Sequence, residues 1–111
     1  MTDPRDLFRR MHDVLVTKDV SVADEIFAPD FYSHPLDGGI DRVKASWTRI
    51  LAEYPDLRST IEDMLVDGDR VAARATVTGL PSGPGTMFEI IRVADGRIAE
   101  LWGASTLNLR G

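Results

Sequence analysis

Apolar positions along the chain follow two different periods, and the change falls near Pro55. Before that proline, apolar residues recur every three or four positions, which is typical of amphipathic helices. After it, they alternate with polar residues, which is typical of strands with one buried face. The pattern therefore predicts helices followed by an antiparallel sheet, an α+β arrangement.

Three helices are expected in the first half of the chain. A capping Asp ahead of a Pro at the first helical position predicts a helix over residues 4–18. A short second helix is expected over 21–28, where Pro29 stops it. The segment "DFYSHPLDGG" is interpreted as a short extended piece and a loop. A third amphipathic helix is expected over residues 40–54.

Four strands are expected in the second half, and turns containing Asp-Gly join two pairs of them. The turn at 67–69 is expected to be of type I′, because Asp-Gly supplies two positive φ angles. The third strand, "TMFEIIRV", carries apolar residues on both faces, so something must cover the face that the helices leave open. A second copy of the chain is the simplest cover, and a homodimer is expected. The predicted strands span residues 57–66, 70–79, 86–93 and 97–109.

Composition narrows the class of protein. A length of 111 residues favours a single domain over 1–111. Thirteen basic and eighteen acidic side chains give a net charge of −5 without a basic cluster, so neither nucleic acid nor a membrane is an expected partner. The chain has no cysteine, which excludes thiolate chemistry. The N-terminus lacks the apolar segment of a signal peptide, and a cytoplasmic location is expected.

Three segments in this order resemble a known family: "FAPDFYSHP", "WTRILAEYPDLRSTIEDMLVDGDRVAARATVTG" and "FEIIRVADGRIAELWG". Together they are similar to the SnoaL-like polyketide cyclase branch of the nuclear transport factor two superfamily, over residues 25–105. The resemblance implies a cone-like fold, in which a curved sheet wraps around helices and encloses an apolar cavity. It also implies that a small apolar organic molecule binds there. Relatives include polyketide cyclases, ketosteroid isomerases, dehydratases and limonene epoxide hydrolases.

The sequence departs from that family in two places. The segment between the second and third strands shrinks to "GLPSGPGT", which lowers the expected rim of the cavity. The cyclases and epoxide hydrolases place a carboxylate just beyond the position of Trp102, where this chain has Gly, Ala, Ser and Thr. Arg74 matches an Arg of the epoxide hydrolases, but Thr76 stands where their Asp would be. Epoxide hydrolysis of that type is therefore not expected.

Three residues are candidates for chemistry. His34 matches the family's His-x-Pro region and could act as a general acid or base, or it could simply cap a loop. Glu89 lies between Phe88 and Ile90, so burial could raise its pKa for proton transfer, or it could form a cross-strand ion pair with an Arg. Arg74, among small neighbours, could stabilise an enolate, or it could be an edge or dimer-face residue that pairs with Glu62 or Glu89 across the sheet.

Three aromatic residues are candidates for ligand binding. Tyr32 could reach the cavity with its hydroxyl, while Trp47 and Trp102 could contact the ligand or belong to the core or an interface. The helix that bears Trp47 is expected inside the curve of the sheet. His12 is interpreted as an exposed residue of the first helix. The two His residues have no ligand-like spacing, so neither a metal site nor another cofactor is expected.

Three functions remain open from the sequence. The chain could be a cofactor-independent cyclase or isomerase that removes a proton next to a carbonyl. It could be a non-catalytic binding domain, because the last strand lacks the family's acid. It could also be a dimeric interaction module with a filled core.

Overall fold

The computed structural model describes residues 3–107, and its helices begin and end close to the predicted positions. The first helix starts at Pro4 because the Asp3 carboxylate accepts a hydrogen bond from the Arg5 amide at 2.9 Å. The expected second helix is split into a short 3₁₀ turn and a single α-helical turn. The helices are α1 (Pro4–Thr17), the 3₁₀ turn (Val20–Val22), α2 (Ala23–Ile26) and α3 (Ile40–Glu53).

The sheet has five strands in the order β1-β5-β4-β3-β2. Four of them form the predicted antiparallel meander, while β1 runs parallel to β5 at the edge, so the sheet is mixed. Pro29 lies inside β1 and does not end a helix, because an edge strand tolerates its missing amide hydrogen. The strands are β1 (Phe27–Ser33), β2 (Arg58–Asp67), β3 (Arg70–Thr78), β4 (Gly85–Ala94) and β5 (Arg97–Ser105).

The two hairpin turns differ in type. Between β2 and β3 only Gly68 has a positive φ, at 61°, which matches a type II′ turn with Gly–Asp at its centre. The predicted type I′ turn is therefore wrong at this position. Between β4 and β5, Asp95 and Gly96 both have positive φ, at 54° and 76°, which is the type I′ pattern.

The helices cover one face of the sheet, called here the inner face. The largest fully buried side chains come from both layers, among them Phe8 of α1, Phe27 of β1, and Ile91 and Ile98 of the central strands. The predicted α+β fold, with helices packed in the curve of the sheet, is confirmed. Burial of this shared core is what fixes α1 and α3 against the strands.

The opposite face, called here the outer face, carries apolar side chains that the helices do not cover. Leu65, Phe88 and Ile90 are 72%, 53% and 41% exposed. Phe88 and Ile90 pair across the ladder with Arg74 and Ala72 of β3, so all four side chains lie on this face. Separately, no helix within residues 3–107 has both the length and the apolar character needed to cross a membrane.

Candidate active site

A cavity of about 330 Å³ lies between the helices and the inner face of the sheet. Its wall is built mainly from apolar side chains of α1, α3, β1, β4 and β5, with a few serine hydroxyls. This volume is at the small end of the range for ligand pockets, roughly 300–1,000 Å³. The lining residues that matter below are Met11, His12, Phe27, Ser46, Trp47 and Glu89.

His12 and Glu89 meet at the wall of this cavity. His12 Nε2 lies 2.6 Å from Glu89 Oε1, and His12 Nδ1 lies 2.6 Å from Ser59 Oγ. The two ionisable side chains are only 8% and 13% exposed. Phe8 stacks on the imidazole with a centroid distance of 4.6 Å, which fixes the plane of the ring. The imidazole and the carboxylate therefore form a hydrogen-bonded pair of fixed orientation beside the apolar cavity.

The fold brings these groups together from distant parts of the chain. His12 follows Phe8 by four residues, so both side chains lie on the face of α1 that turns toward the sheet. Glu89 alternates with Phe88 and Ile90 along β4, so it points to the inner face while they point outward. The interpretation of His12 as an exposed residue was wrong. Its four-residue spacing from Phe8 was the signal in the sequence that could have placed it on the buried stripe.

The pair leaves one atom free to face a ligand. Both ring nitrogens of His12 are engaged, by Glu89 and by Ser59. Glu89 Oε2 has no hydrogen-bond partner within residues 3–107. No fully buried polar side-chain atom in that part of the chain lacks a partner, so Oε2 keeps some exposed surface, and Glu89 is one of the residues that line the cavity. An accessible carboxylate oxygen held by an imidazole can accept a proton from a bound molecule.

His34 lies on the outer face instead. Its Nε2 is 2.6 Å from Glu100 Oε2, and Arg92 donates to the other oxygen of that carboxylate at 3.1 Å. The His34 ring stacks on Trp102 at 5.0 Å, with 11° between the planes. The hydrogen bond from His34, with Arg92 second, holds the pKa of Glu100 below its usual value.

Arg74 also lies on the outer face. Its Nε and Nη2 donate to Asp63 Oδ2 at 2.9 and 2.6 Å, and its side chain is 43% exposed. Arg74 therefore forms an ion pair, as the second alternative expected, but with Asp63 and not with Glu62 or Glu89. The structure therefore separates the three candidates: Glu89 faces the cavity, whereas Arg74 and His34 lie across the sheet from it.

The aromatic candidates divide in the same way. Trp47 of α3 lines the inner cavity and lies 5.8 Å from Phe27, centroid to centroid. Tyr32 and Trp102 lie outside it. The Tyr32 hydroxyl donates to Asp37, and this hydrogen bond raises the pKa of the phenol. Trp102 packs between the outer-face groups, with the Arg70 guanidinium 5.0 Å from its ring.

No cluster of three or more His, Cys, Asp or Glu side chains with the spacing of a metal site occurs within residues 3–107. A second, larger hollow of about 670 Å³ lies on the outer face, where Phe88, Ile90 and Trp102 form its floor and Arg74 and Asp63 its edge. We place the candidate site at the inner cavity, because of these two hollows within residues 3–107 it is the one lined by both His12 and Glu89.

The sequence matches a family model described as the SnoaL-like domain over residues 8–101. The fold is similar to that of IdmH from Streptomyces antibioticus, a candidate polyketide cyclase: 26% identity, TM-score 0.82, covering 94% of this chain and 92% of that one. A loop-truncated variant of IdmH gives 28% identity and a TM-score of 0.84, covering 94% and 93%. A candidate polyketide cyclase from Sinorhizobium meliloti gives 26% identity and 0.77, covering 89% and 94%. No curated protein sequence matches the chain significantly.

Proposed function

Because this chain belongs to the SnoaL-like domain family, we propose that it binds a small apolar organic molecule in the inner cavity and moves a proton on it. The reaction would be that of a cofactor-independent cyclase or isomerase, in a single domain spanning residues 1–111. The observation that carries the proposal is the hydrogen bond between His12 and Glu89 at the cavity wall. The solved relatives described as candidate polyketide cyclases support the same class of ligand.

In the proposed step, Glu89 is the general base. Its free oxygen takes a proton from a carbon next to a carbonyl, and the electron pair of that C–H bond moves to the carbonyl oxygen as an enolate. His12 holds the carboxylate in place and its imidazolium form would stabilise the ionised Glu89. Returning the proton to a different carbon of a conjugated enolate gives an isomer. In ring closure, the enolate carbon attacks a second carbonyl, and the alkoxide so formed takes the proton back from Glu89.

In this arrangement a hydroxyl group would stabilise the enolate by donating a hydrogen bond to its oxygen. Arg74, which the sequence suggested for the task, lies on the other face of the sheet. Ser46 of α3 lines the cavity and can donate a hydrogen bond. One neutral donor stabilises an enolate less than a guanidinium does. The proposed substrate is therefore one in which conjugation with the carbonyl already makes the C–H bond acidic.

The experiment follows deuterium exchange of the α-protons of 2-acetylnaphthalene by NMR in D₂O. We expect the wild-type protein to accelerate exchange, and Glu89→Gln to reduce the rate by about 10² or more while the ketone still binds. The matched control is Glu62→Gln, the same substitution at an exposed position of β2. Binding without exchange in the wild type would leave a non-catalytic binding domain. Absence of binding would leave the interaction module.

A homodimer through the outer face is the second part of the proposal. It is supported by the exposed Leu65, Phe88 and Ile90, which together form an apolar surface on the outer face of the sheet. The ion pair between Arg74 and Asp63 at the edge of this surface could exchange partners across a two-fold axis. This assembly would leave the inner cavity free, because the cavity opens on the other side of the sheet.

A further inference from the structure

Ser59 is the third member of a hydrogen-bonded row that also contains His12 and Glu89, and the proton transfer proposed above gives its hydroxyl no task. His12 Nδ1 lies 2.6 Å from Ser59 Oγ, and His12 Nε2 lies 2.6 Å from Glu89 Oε1. The imidazole therefore joins a hydroxyl on one side to a carboxylate on the other. A hydroxyl, an imidazole and a carboxylate in this order are the groups that activate a serine for nucleophilic attack.

The hydrogen bonds of this row have a consistent direction. An ionised Glu89 only accepts, so Nε2 of His12 carries the hydrogen of that bond. In the neutral imidazole, Nδ1 then has no hydrogen and accepts one from the Ser59 hydroxyl. His12 can therefore take the hydroxyl proton, while Glu89 orients the ring and stabilises the imidazolium that forms. This use of the neutral imidazole differs from the proton transfer above, in which the imidazolium form stabilises Glu89.

Packing holds the base of this row in one orientation. The side chains of His12 and Glu89 are 8% and 13% exposed, and Phe8 stacks on the imidazole at 4.6 Å. These contacts keep Nδ1 directed at the Ser59 hydroxyl. A base that is already in place lowers the barrier to attack, because its orientation does not have to be found during the reaction.

Ser59 lies at the edge of the sheet, where a molecule can approach it from outside. It is half-buried between the exposed Arg58 and Thr60 on β2, which is an edge strand. Every second backbone amide of an edge strand points away from the neighbouring strand and can donate a hydrogen bond. Such an amide can bind the oxygen that becomes negative when a carbonyl is attacked.

We propose that Ser59 is a nucleophile and that the protein hydrolyses small carboxylic esters, an activity that goes beyond the proposed proton transfer and does not rest on it. Ser59 Oγ attacks the carbonyl carbon of the ester while its proton passes to His12 Nδ1. The bond to the alcohol oxygen then breaks, and His12 gives the proton to the departing alcohol. Water attacks the acyl group on Ser59 next. A proton of that water passes through His12 to Ser59 Oγ, and the carboxylic acid leaves.

Labelling with an alkyl fluorophosphonate tests the nucleophile directly, because an activated serine oxygen displaces fluoride and forms a stable phosphonate ester. We expect the folded wild-type protein to gain one phosphonyl group, which peptide mass spectrometry locates at Ser59. Ser59→Ala should lose the label. The matched control Ser82→Ala, the same substitution at an exposed loop position, should keep it. An unlabelled wild type, or a label that persists in Ser59→Ala, would overturn the inference.

Hydrolysis of p-nitrophenyl acetate measures turnover. We expect Ser59→Ala to reduce the rate above the buffer background by at least about tenfold. An imidazole that attacks the ester by itself would leave that rate unchanged, which would contradict a serine nucleophile. The labelling of the wild type remains decisive if Ser59→Ala fails to fold.

The two proposed activities can fail separately. Deuterium exchange of the ketone without labelling of Ser59 would overturn this inference and leave the proton transfer in place. Labelling of Ser59 without exchange would support the ester hydrolysis and remove the proton transfer.

Discussion

Glu100 on the outer face accepts hydrogen bonds from two basic side chains at once. His34 and Arg92 each bind one of its oxygens, and its side chain is 24% exposed. Both contacts favour the ionised form, which is why its pKa lies below the usual 4.5. The pair also orients His34 against Trp102, so the carboxylate organises one corner of the outer face.

This arrangement predicts a stability difference that depends on pH. A lowered pKa in the folded state stabilises the protein above the ordinary value of 4.5, and that stabilisation is lost as the pH falls through the folded-state pKa. Glu100→Gln should therefore lower the Tm at pH 7, and the gap from wild type should shrink at pH 3. Thermal unfolding at both pH values measures this. A gap that grows in acid would contradict the prediction, and Glu62→Gln serves as control.

At the scale of residues, one of the two side chains of the candidate site could be predicted from the sequence. Glu89 could be predicted to be partly buried, because apolar residues flank it on a strand. Its partner could not, because His12 lies 77 residues away and only the packing of α1 on the sheet joins them. The faces of His34 and Arg74 depend on register. The β1–β5 ladder shifts between Phe27 and Tyr32, and the β2–β3 ladder shifts between Ile61 and Asp63. Such a shift cannot be read from a single sequence.

At the scale of elements, the pattern of apolar residues predicted the helices and strands whose bounds depend on residues close together in the chain. The bounds of α1 and α3 and of the four meander strands agree with the structure within about three residues for the described part of the chain, because their periodicity reflects one buried face. The last predicted strand continued to residue 109, and 108–109 lie outside the described residues. The strand β1 could not be predicted as part of the sheet, since its partner β5 lies about seventy residues later.

The loop between β3 and β4 contains two glycines with the same φ of +96°, Gly79 and Gly83. A Cβ on Gly79 would overlap the backbone carbonyl of Asp56 and lie 2.9 Å from the Cα of Leu57, while a Cβ on Gly83 would meet nothing within 4 Å. The loop therefore lies against the start of β2 at Gly79, and only that glycine combines a positive φ with close backbone packing.

Gly79 and Gly83 offer a matched test of the contact between this loop and Asp56. Gly83→Ala should cost about 1 kcal/mol of unfolding free energy, because Ala resists a positive φ. Gly79→Ala carries the same strain and the overlap as well, so it should cost at least about 1 kcal/mol more. Urea denaturation measures both. Equal losses would show that the loop can move away from Asp56 without cost.

At the scale of the whole molecule, the proposed homodimer makes a prediction about mass. Light scattering after size exclusion at micromolar concentration should give twice the monomer mass of 12.3 kDa. Phe88→Glu, in the outer face, should reduce it to the monomer value because a charge would be buried in the interface. Val16→Glu is the control, since Val16 is also apolar and 60% exposed but lies on α1. Equal effects of the two substitutions, or a monomeric wild type, would exclude this interface.

The parallel pairing of β1 with β5 has a consequence for the order of events in folding. The N-terminal edge of the sheet has no neighbour until the final strand exists, so neither the edge nor the cavity wall can be completed as the chain leaves the ribosome. Until then, β4 would leave the edge that pairs with β5 exposed, a condition that favours aggregation. The protein should thus depend on rapid closure after synthesis, and its cavity should appear in one late step together with the last ladder.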